Sequence, residues 1–222
     1  MSNDVVIIGA GQQCHVVLYN LREQGIYNPV CILDPNPAVW GKKIEGVYVE
    51  PDYSDFDLNF LNMIRKKYLT NIFFLGIGAM KLRKGIFNFF RNNGWDSINI
   101  VHPNAVVSKT ATLGTGILIE AGCLVTPNPQ IGDNVVINTG SQVNHDNIVF
   151  SNVYIASGVV LSGGVTIGDN TLIDDGVIIT LGRKVGEECI IGAGSVVTKD
   201  IPEGSIAYGV PCKIVKKNNK YE

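Results

Sequence analysis

Broken every six residues, positions 143–172 read VNHDNI, VFSNVY, IASGVV, LSGGVT, IGDNTL, and every block opens on Val, Leu or Ile. The register runs outward in both directions. Stepping by six from Val101 gives Val107, Leu113, Ile119, Val125, Ile131, Ile137, Val143, Val149, Ile155, Leu161, Ile167, Ile173, Ile179, Val185, Ile191 and Val197, seventeen positions without an exception. These three residue types make up only roughly a quarter of such chains, so chance does not produce a run of that length. Three residues after the aliphatics a second row recurs, at Gly116, Gly122, Asn134, Gly140, Asp146, Asn152, Gly158, Gly164, Asn170, Gly176 and Gly194. Gly, Asn and Asp tolerate positive φ at tight corners. Six residues therefore make one flat strand and a corner, and the aliphatics stack inward in a parallel β-helix. With three faces a coil takes eighteen residues, so each residue lies beneath the one eighteen positions later at the spacing of roughly 4.8 Å between strands. About five and a half coils are expected, closed by Pro202, the Tyr208–Pro211 turn and the basic Lys213–Lys220 tail.

Residues 1–100 follow another rule. Short apolar runs at Asp4–Ile8, Pro29–Asp34, Asn71–Gly76 and Ser97–Val101 alternate with helical patterns at Val16–Gln24, Asp57–Tyr68 and Lys81–Asn92. Such alternation marks an α/β domain with a parallel sheet built from βαβ units. The expected organisation is a Rossmann-like domain over 1–100 and a β-helix domain over 101–222.

Composition narrows the function. Eighteen basic and twenty acidic side chains give a formal charge of -2, so no overall field favours nucleic acid or an anionic membrane. The N-terminus enters the strand Val5–Ile8 without the basic leader of a signal peptide, and no run reaches the length of a membrane span. A cytoplasmic location is expected. Cys14, Cys31, Cys123, Cys189 and Cys212 are odd in number and form no CxxC pair, which suits a reducing compartment and buried thiols. A metal is not expected either. A zinc β-helix enzyme needs three histidines converging from adjacent coils; His102 and His145 are not separated by a multiple of eighteen, and His15 lies outside the solenoid.

The hexapeptide register, the closing Tyr208-Gly209-Val210-Pro211-Cys212-Lys213 and the leading Ile8-Gly9-Ala10-Gly11 together resemble the hexapeptide-repeat sugar acyltransferases, and within them the PglD/NeuD-like family. The resemblance covers essentially the whole chain. It implies a left-handed β-helix, a homotrimer with active sites between neighbouring β-helices, and acetyl-CoA as co-substrate. The acceptor it implies is a nucleotide-linked amino sugar, with UDP or dTDP as carrier and a 4-amino-deoxy sugar in bacterial glycan biosynthesis.

Only three histidines are present, which limits the candidates for a general base near neutral pH. His145 sits two residues past an inward aliphatic, close to a corner, and matches the family's catalytic histidine. Asp146 stands where relatives carry the acidic residue, usually Glu, that orients the ring; it is also a corner residue of a type favoured there for backbone reasons. Gly163 lies one coil above His145, and its N–H is the candidate oxyanion donor, a role favoured for Gly163 over the sharp corner that Gly163-Gly164 also makes, whereas for Gly164 the two readings are even. Within the hexapeptide register no Cys or Ser stands beside a histidine as a nucleophile–base pair, so direct attack is expected.

Matching position makes Tyr154, Asp175 and Ala193 the candidates for coenzyme A contact, with the tail lysines Lys213, Lys216 and Lys217 as alternatives for its phosphates. In the first domain the loop Gly9-Ala10-Gly11-Gln12-Gln13 follows a strand and precedes a helix, where backbone N–H groups receive phosphate. Cys14 replaces the third glycine of GxGxxG, which weakens a dehydrogenase reading. The resemblance instead places the nucleotide-sugar at Gly11, Gln12, Gln13 and Asp34; many relatives have Gly-His at Gln12-Gln13, and Asp34 also suits a turn start. Two rivals stay open: a sialic-acid-type sugar O-acetyltransferase using the same base, and a non-catalytic nucleotide-sugar-binding trimer.

Overall fold

The computed structural model describes residues 3–51 and 57–218; Lys220 of the expected basic tail lies outside them. The chain divides into two compact units, Met1–Ile100 and Val101–Glu222.

In the first unit β1 (Asp4–Ile8), α1 (Gln12–Gln24), β2 (Asn28–Leu33), the hairpin strands β3 (Lys43–Ile44) and β4 (Val47–Tyr48), α2 (Leu58–Tyr68), β5 (Ile72–Leu75), α3 (Met80–Asn92) and β6 (Asp96–Ser97) follow in order. Four of the strands form a parallel sheet in the order β2-β1-β5-β6. β1 is apolar along nearly its whole length because it lies inside this sheet, with helices available to cover it; Val5, Val6 and Ile7 are fully buried. Phe73 of β5, Phe90 of α3 and Trp95 pack as a ring cluster, with centroids 4.9 Å apart for Phe73–Phe90 and 5.4 Å for Phe90–Trp95, the tilted and edge-on geometry that aromatic quadrupoles favour. Asp57 caps α2, its carboxylate accepting from Asn59 N at 2.9 Å.

Two element boundaries differ from the sequence reading. Helix α1 begins at Gln12, four residues earlier than Val16, because the polar Gln12-Gln13 pair carries no apolar period although Cys14 behind it is fully buried. The expected strand Ser97–Val101 is split: Asp96–Ser97 pairs with β5, while Ile100–Val101 belongs to the solenoid.

The solenoid is a stack of two-residue strands in three parallel sheets. The first runs from Ile100–Val101 through Leu118–Ile119 and Tyr154–Ile155 to Ile190–Ile191; the second from Val106–Val107 to Val196–Val197; the third from Thr112–Leu113 to Lys184–Val185. Partners are eighteen residues apart throughout, as in Leu124↔Gln142 and Gln142↔Val160. The aliphatic row lines the interior and is buried from Ile119 to Val197. Cys123 and Cys189 complete that column, their thiols donating to Asn138 O and Pro202 O, each at 3.1 Å. Burial holds the thiol pKa values of all five cysteines up, that of Cys14 to about 12. Every third residue after the inward aliphatic, from Gly116 to Gly194, has φ between 56° and 76°. That row includes Glu188, which is neither Gly, Asn nor Asp; its N–H donates to Asp169 O and its carbonyl accepts from Asn218 Nδ2, both at 2.8 Å, and these two bonds hold the unusual conformation. Ser205–Tyr208 adds in parallel to Ile190–Ile191, and Lys213–Lys217 returns antiparallel as the edge strand.

Coil spacing leaves no room for a side chain at some corners. A Cβ on Gly168 would stand 2.4 Å from Glu187 N, against backbone that cannot yield, whereas a Cβ on Gly158 meets nothing within 4 Å. Gly168→Ala is expected to lower stability by about 1–3 kcal/mol. Gly158→Asn, which accepts its left-handed conformation, should stay within about 1 kcal/mol of wild type; thermal midpoints of the two variants against wild type check the contrast.

Candidate functional site

The corner that follows the second sheet carries His145 and, one coil up, Gly163. His145 is exposed at the rim, and its Nδ1 lies 2.9 Å from Asp146 Oδ2. The shorter Asp thus reaches the ring as a Glu would, because Asp146 occupies the left-handed corner position (φ 60°), which turns its side chain back toward its neighbour. Asp146 Oδ1 accepts from Asn128 Nδ2 at 3.3 Å, and Asn128 N–H in turn donates to Thr110 Oγ1 at 3.0 Å. Hydrogen bonds from His145 and then Asn128 hold the Asp146 carboxyl below its ordinary pKa. With a carboxylate accepting at Nδ1, the tautomer favoured carries its proton there and leaves the Nε2 lone pair outward.

The His145 ring lies directly over Gly163: a Cβ built on Gly163 would come within 2.4 Å of both Cε1 and Nε2. Only glycine permits that stacking. Gly163 O accepts from Gly182 N at 3.0 Å and Gly164 N donates to His145 O at 2.9 Å, so the corner is laced to the coils above and below. Gly163 itself is buried, yet among the described residues its N–H donates to no group of the chain.

Asp175 and Ala193 stack on a different corner, the one that follows the first sheet, and Tyr154 lies in that first sheet. Within one chain the structure therefore does not put these three at the His145 corner. Ala193 is exposed. Asp175 Oδ1 accepts from Ser157 N at 3.0 Å and its carbonyl accepts from Gly194 N at 2.8 Å, while Asn138 Nδ2 donates to Tyr154 Oη at 3.3 Å. Lys213, Lys216 and Lys217 stand exposed on the closing edge strand.

In the first unit a cavity of about 510 Å³ opens at the carboxyl ends of β1, β2 and β5, lined by Gly11, Gln12, Gln13, Asp34, Ile77 and Leu82 among others. This is the crevice where open parallel sheets take ligands. All four residues expected there are brought together. Gly11 caps α1 without a side chain, and the first turn holds no acidic residue, so the positive end of the helix dipole is left for an anion. Both Asp34 oxygens are engaged internally: Oδ2 accepts from Ala10 N at 2.7 Å, which ties down the Gly9–Gly11 loop, and Oδ1 accepts from Asn36 N at 2.9 Å in the turn. The missing third glycine has a counterpart on the sheet side, because a Cβ on Gly76 would stand 3.0 Å from Cys14 Cα; the close helix–strand approach is made by Gly76 instead. Arg83, buried in α3, donates to Ile77 O at 3.0 Å and fixes that cavity wall.

His15 on α1 pairs with Glu45 at 3.1 Å, and buried His102 accepts from Asn104 N at 3.0 Å. Among the described residues no group of three His, Cys, Asp or Glu side chains could hold a metal ion, and no helix is long and apolar enough to cross a membrane. Sequence reasoning missed Asn128 and Arg83. The eighteen-residue rule would have found Asn128, one coil below Asp146; nothing local marks Arg83.

Comparison with known proteins places this geometry. The PglD N-terminal domain model matches residues 4–90, and the bacterial transferase hexapeptide model matches 164–199. No curated sequence matches the chain. Among solved structures, perosamine N-acetyltransferase from Caulobacter crescentus, a histidine-to-asparagine mutant in complex with CoA and GDP-perosamine, superposes with a TM-score of 0.88 at 34% identity, covering 96% of this chain and 97% of that one. The acetyltransferase domain of PglB from Neisseria gonorrhoeae, in complex with acetyl coenzyme A, gives 0.86 at 28% identity over 97% and 100%. WeeI from Acinetobacter baumannii, at 22% identity and a TM-score of 0.77 over 95% and 99%, shares the fold. With the first of these similar along nearly its full length, the chain belongs to the PglD/NeuD-like family of hexapeptide-repeat sugar acyltransferases.

Proposed function

We propose that this protein is an acetyl-CoA-dependent N-acetyltransferase whose acceptor is the amino group of a nucleotide-linked amino-deoxy sugar, with His145 as the general base. The observation that carries the reading is the His145 corner: an imidazole oriented by Asp146 at 2.9 Å, stacked on a glycine whose N–H has no partner among the described residues. The similarity to a perosamine N-acetyltransferase bound to CoA and GDP-perosamine, and to a PglB domain bound to acetyl coenzyme A, supports the donor and the acceptor class. GDP therefore joins UDP and dTDP among the carriers to be tried.

In this mechanism His145 Nε2 takes a proton from the sugar amine as its nitrogen attacks the thioester carbonyl, while Asp146 holds the ring and stabilises the imidazolium. Gly163 N–H donates to the carbonyl oxygen as charge develops on it. His145 then returns the proton to the departing thiolate, so that amide and free thiol leave and the base is regenerated. Gly11, Gln12 and Gln13 receive the diphosphate at the α1 N-terminus, and Asp34 holds the loop that presents them. Asp175, Ala193 and Tyr154 contact coenzyme A. Within one chain these sit on the first sheet and the corner that follows it, away from His145, so the reading requires neighbouring copies, and we infer a homotrimer. Val106, Leu124 and Ile178, exposed apolar residues projecting from the second sheet, supply a face for it.

Three outcomes follow. Thiol release from acetyl-CoA should appear with GDP-perosamine or with a UDP- or dTDP-linked 4-amino-6-deoxy sugar, and His145→Ala should lower kcat by about 10²–10⁴-fold; turnover with hydroxyl acceptors alone would make the protein an O-acetyltransferase. Asp146→Asn, a residue type that accepts the same corner conformation, should lower kcat on the order of tenfold with the fold intact. Because the Asp146 pKa lies below its unfolded value, its pairing is in place above the ordinary carboxylate range and is lost as pH falls through the lowered value. Asn128→Gly keeps the left-handed corner and removes one donor, so NMR titration of Asp146 should show its midpoint move upward.

A further inference from the structure

The solenoid contains its own control for the corner at Gly163. In four places the N–H of a residue two past an inward aliphatic is taken by a side-chain oxygen exactly one coil above: Thr115 by Asp133 Oδ1 at 2.8 Å, Asp133 by Ser151 Oγ at 3.1 Å, Ser151 by Asp169 Oδ1 at 2.9 Å, and Ser157 by Asp175 Oδ1 at 3.0 Å. At Thr139 and Asp175 the preceding side chain takes the N–H instead, Asn138 Oδ1 at 2.7 Å and Asp174 Oδ1 at 2.9 Å, but at those four corners a side-chain oxygen on the residue eighteen positions on spends it inside the chain. Above Gly163 that residue is Leu181, placed directly over it by the bond from Gly182 N to Gly163 O. Leucine offers no acceptor. Among the described residues the other corner N–H groups without a partner belong to residues that water can reach at least in part: Lys109, His145, Leu181, Glu187 and Ala193 are exposed, and Ala121 and Asp169 are half-buried. Gly163 is buried, and a buried N–H without a partner is rare and costly in native proteins.

We infer that Leu181 is a positioning residue for acyl transfer: by putting an apolar side chain where four other corners put an accepting Asp or Ser, it keeps the Gly163 N–H unspent for the reacting carbonyl oxygen. This accounts for a large aliphatic side chain left 67% exposed at a position that polar or small residues and proline fill elsewhere. The inference rests on the acetyltransferase reading, and it makes Leu181 act through Gly163 without touching the reacting atoms.

The test compares Leu181→Asn, which supplies a neutral acceptor at that height, with Leu181→Ala, which removes the side chain and supplies none. In a crystal structure of Leu181→Asn the introduced amide oxygen should stand about 3 Å from Gly163 N. Its kcat for thiol release from acetyl-CoA should fall by at least about tenfold with KM for both substrates little changed, since loss of one oxyanion donor costs about 10²–10³ in kcat. Leu181→Ala should keep kcat within about threefold of wild type. The inference is overturned by an amide that does not reach Gly163 N, by one that does so without loss of kcat, or by an equal loss in Leu181→Ala, which would make Leu181 a contact residue. His145→Ala separates the two levels: if it retains full activity the acetyltransferase mechanism itself is wrong, whereas a dead His145→Ala beside an active Leu181→Asn removes only the role of Leu181.

Discussion

Every coil of the solenoid hangs from the next by N–H to carbonyl bonds, such as Val136 N to Val153 O and Val153's own coil to Thr171 through Tyr154 N. That vertical ladder keeps a spacing of eighteen residues up to the closing turn, where Ile190 pairs with Ile206, and the site inherits the eighteen. Asn128, Asp146 and Gly164 form one column, His145, Gly163 and Leu181 the next. Which side chains meet at the base is settled by the count between them, and the count is enforced wherever an aliphatic must fall in the interior. The same bonds that stabilise the stack therefore position the imidazole over a bare glycine.

The left-handed corners serve both ends. Asp146 adopts φ 60° because a corner demands it, and in doing so it turns its carboxylate onto His145. A residue chosen for backbone geometry thus becomes the orienting group, which explains how Asp substitutes for a longer side chain. The first unit reaches an equivalent result by another route. There a helix begins at an uncapped glycine, and Asp34 spends both oxygens on the loop and turn that frame the cavity.

What the amino-acid order made legible was whatever repeats or alternates. The solenoid was readable because Val101 through Val197 all face one interior, and His145 over Gly163 was readable because stacking follows from counting. Strands β1 and β5 were readable from their unbroken apolar runs. The start of α1 was not, since Gln12 and Gln13 look toward the cavity and carry no period. Ser97–Val101 reads as one strand but is shared between two sheets, a choice made by pairing partners far away in sequence. Gly76 in the role of the absent third glycine, and Arg83 holding Ile77, depend on contacts across β5 and α3 that no local pattern announces.

The cysteines bear on how such chemistry is observed. Four are fully enclosed and the fifth, Cys212, is half-covered, and burial keeps all five protonated well past neutrality. Disulfide reagents attack thiolates, so the folded protein presents almost nothing for them to consume. A colorimetric trace recorded with such a reagent starts from a nearly silent baseline, and the colour that grows belongs to the liberated coenzyme.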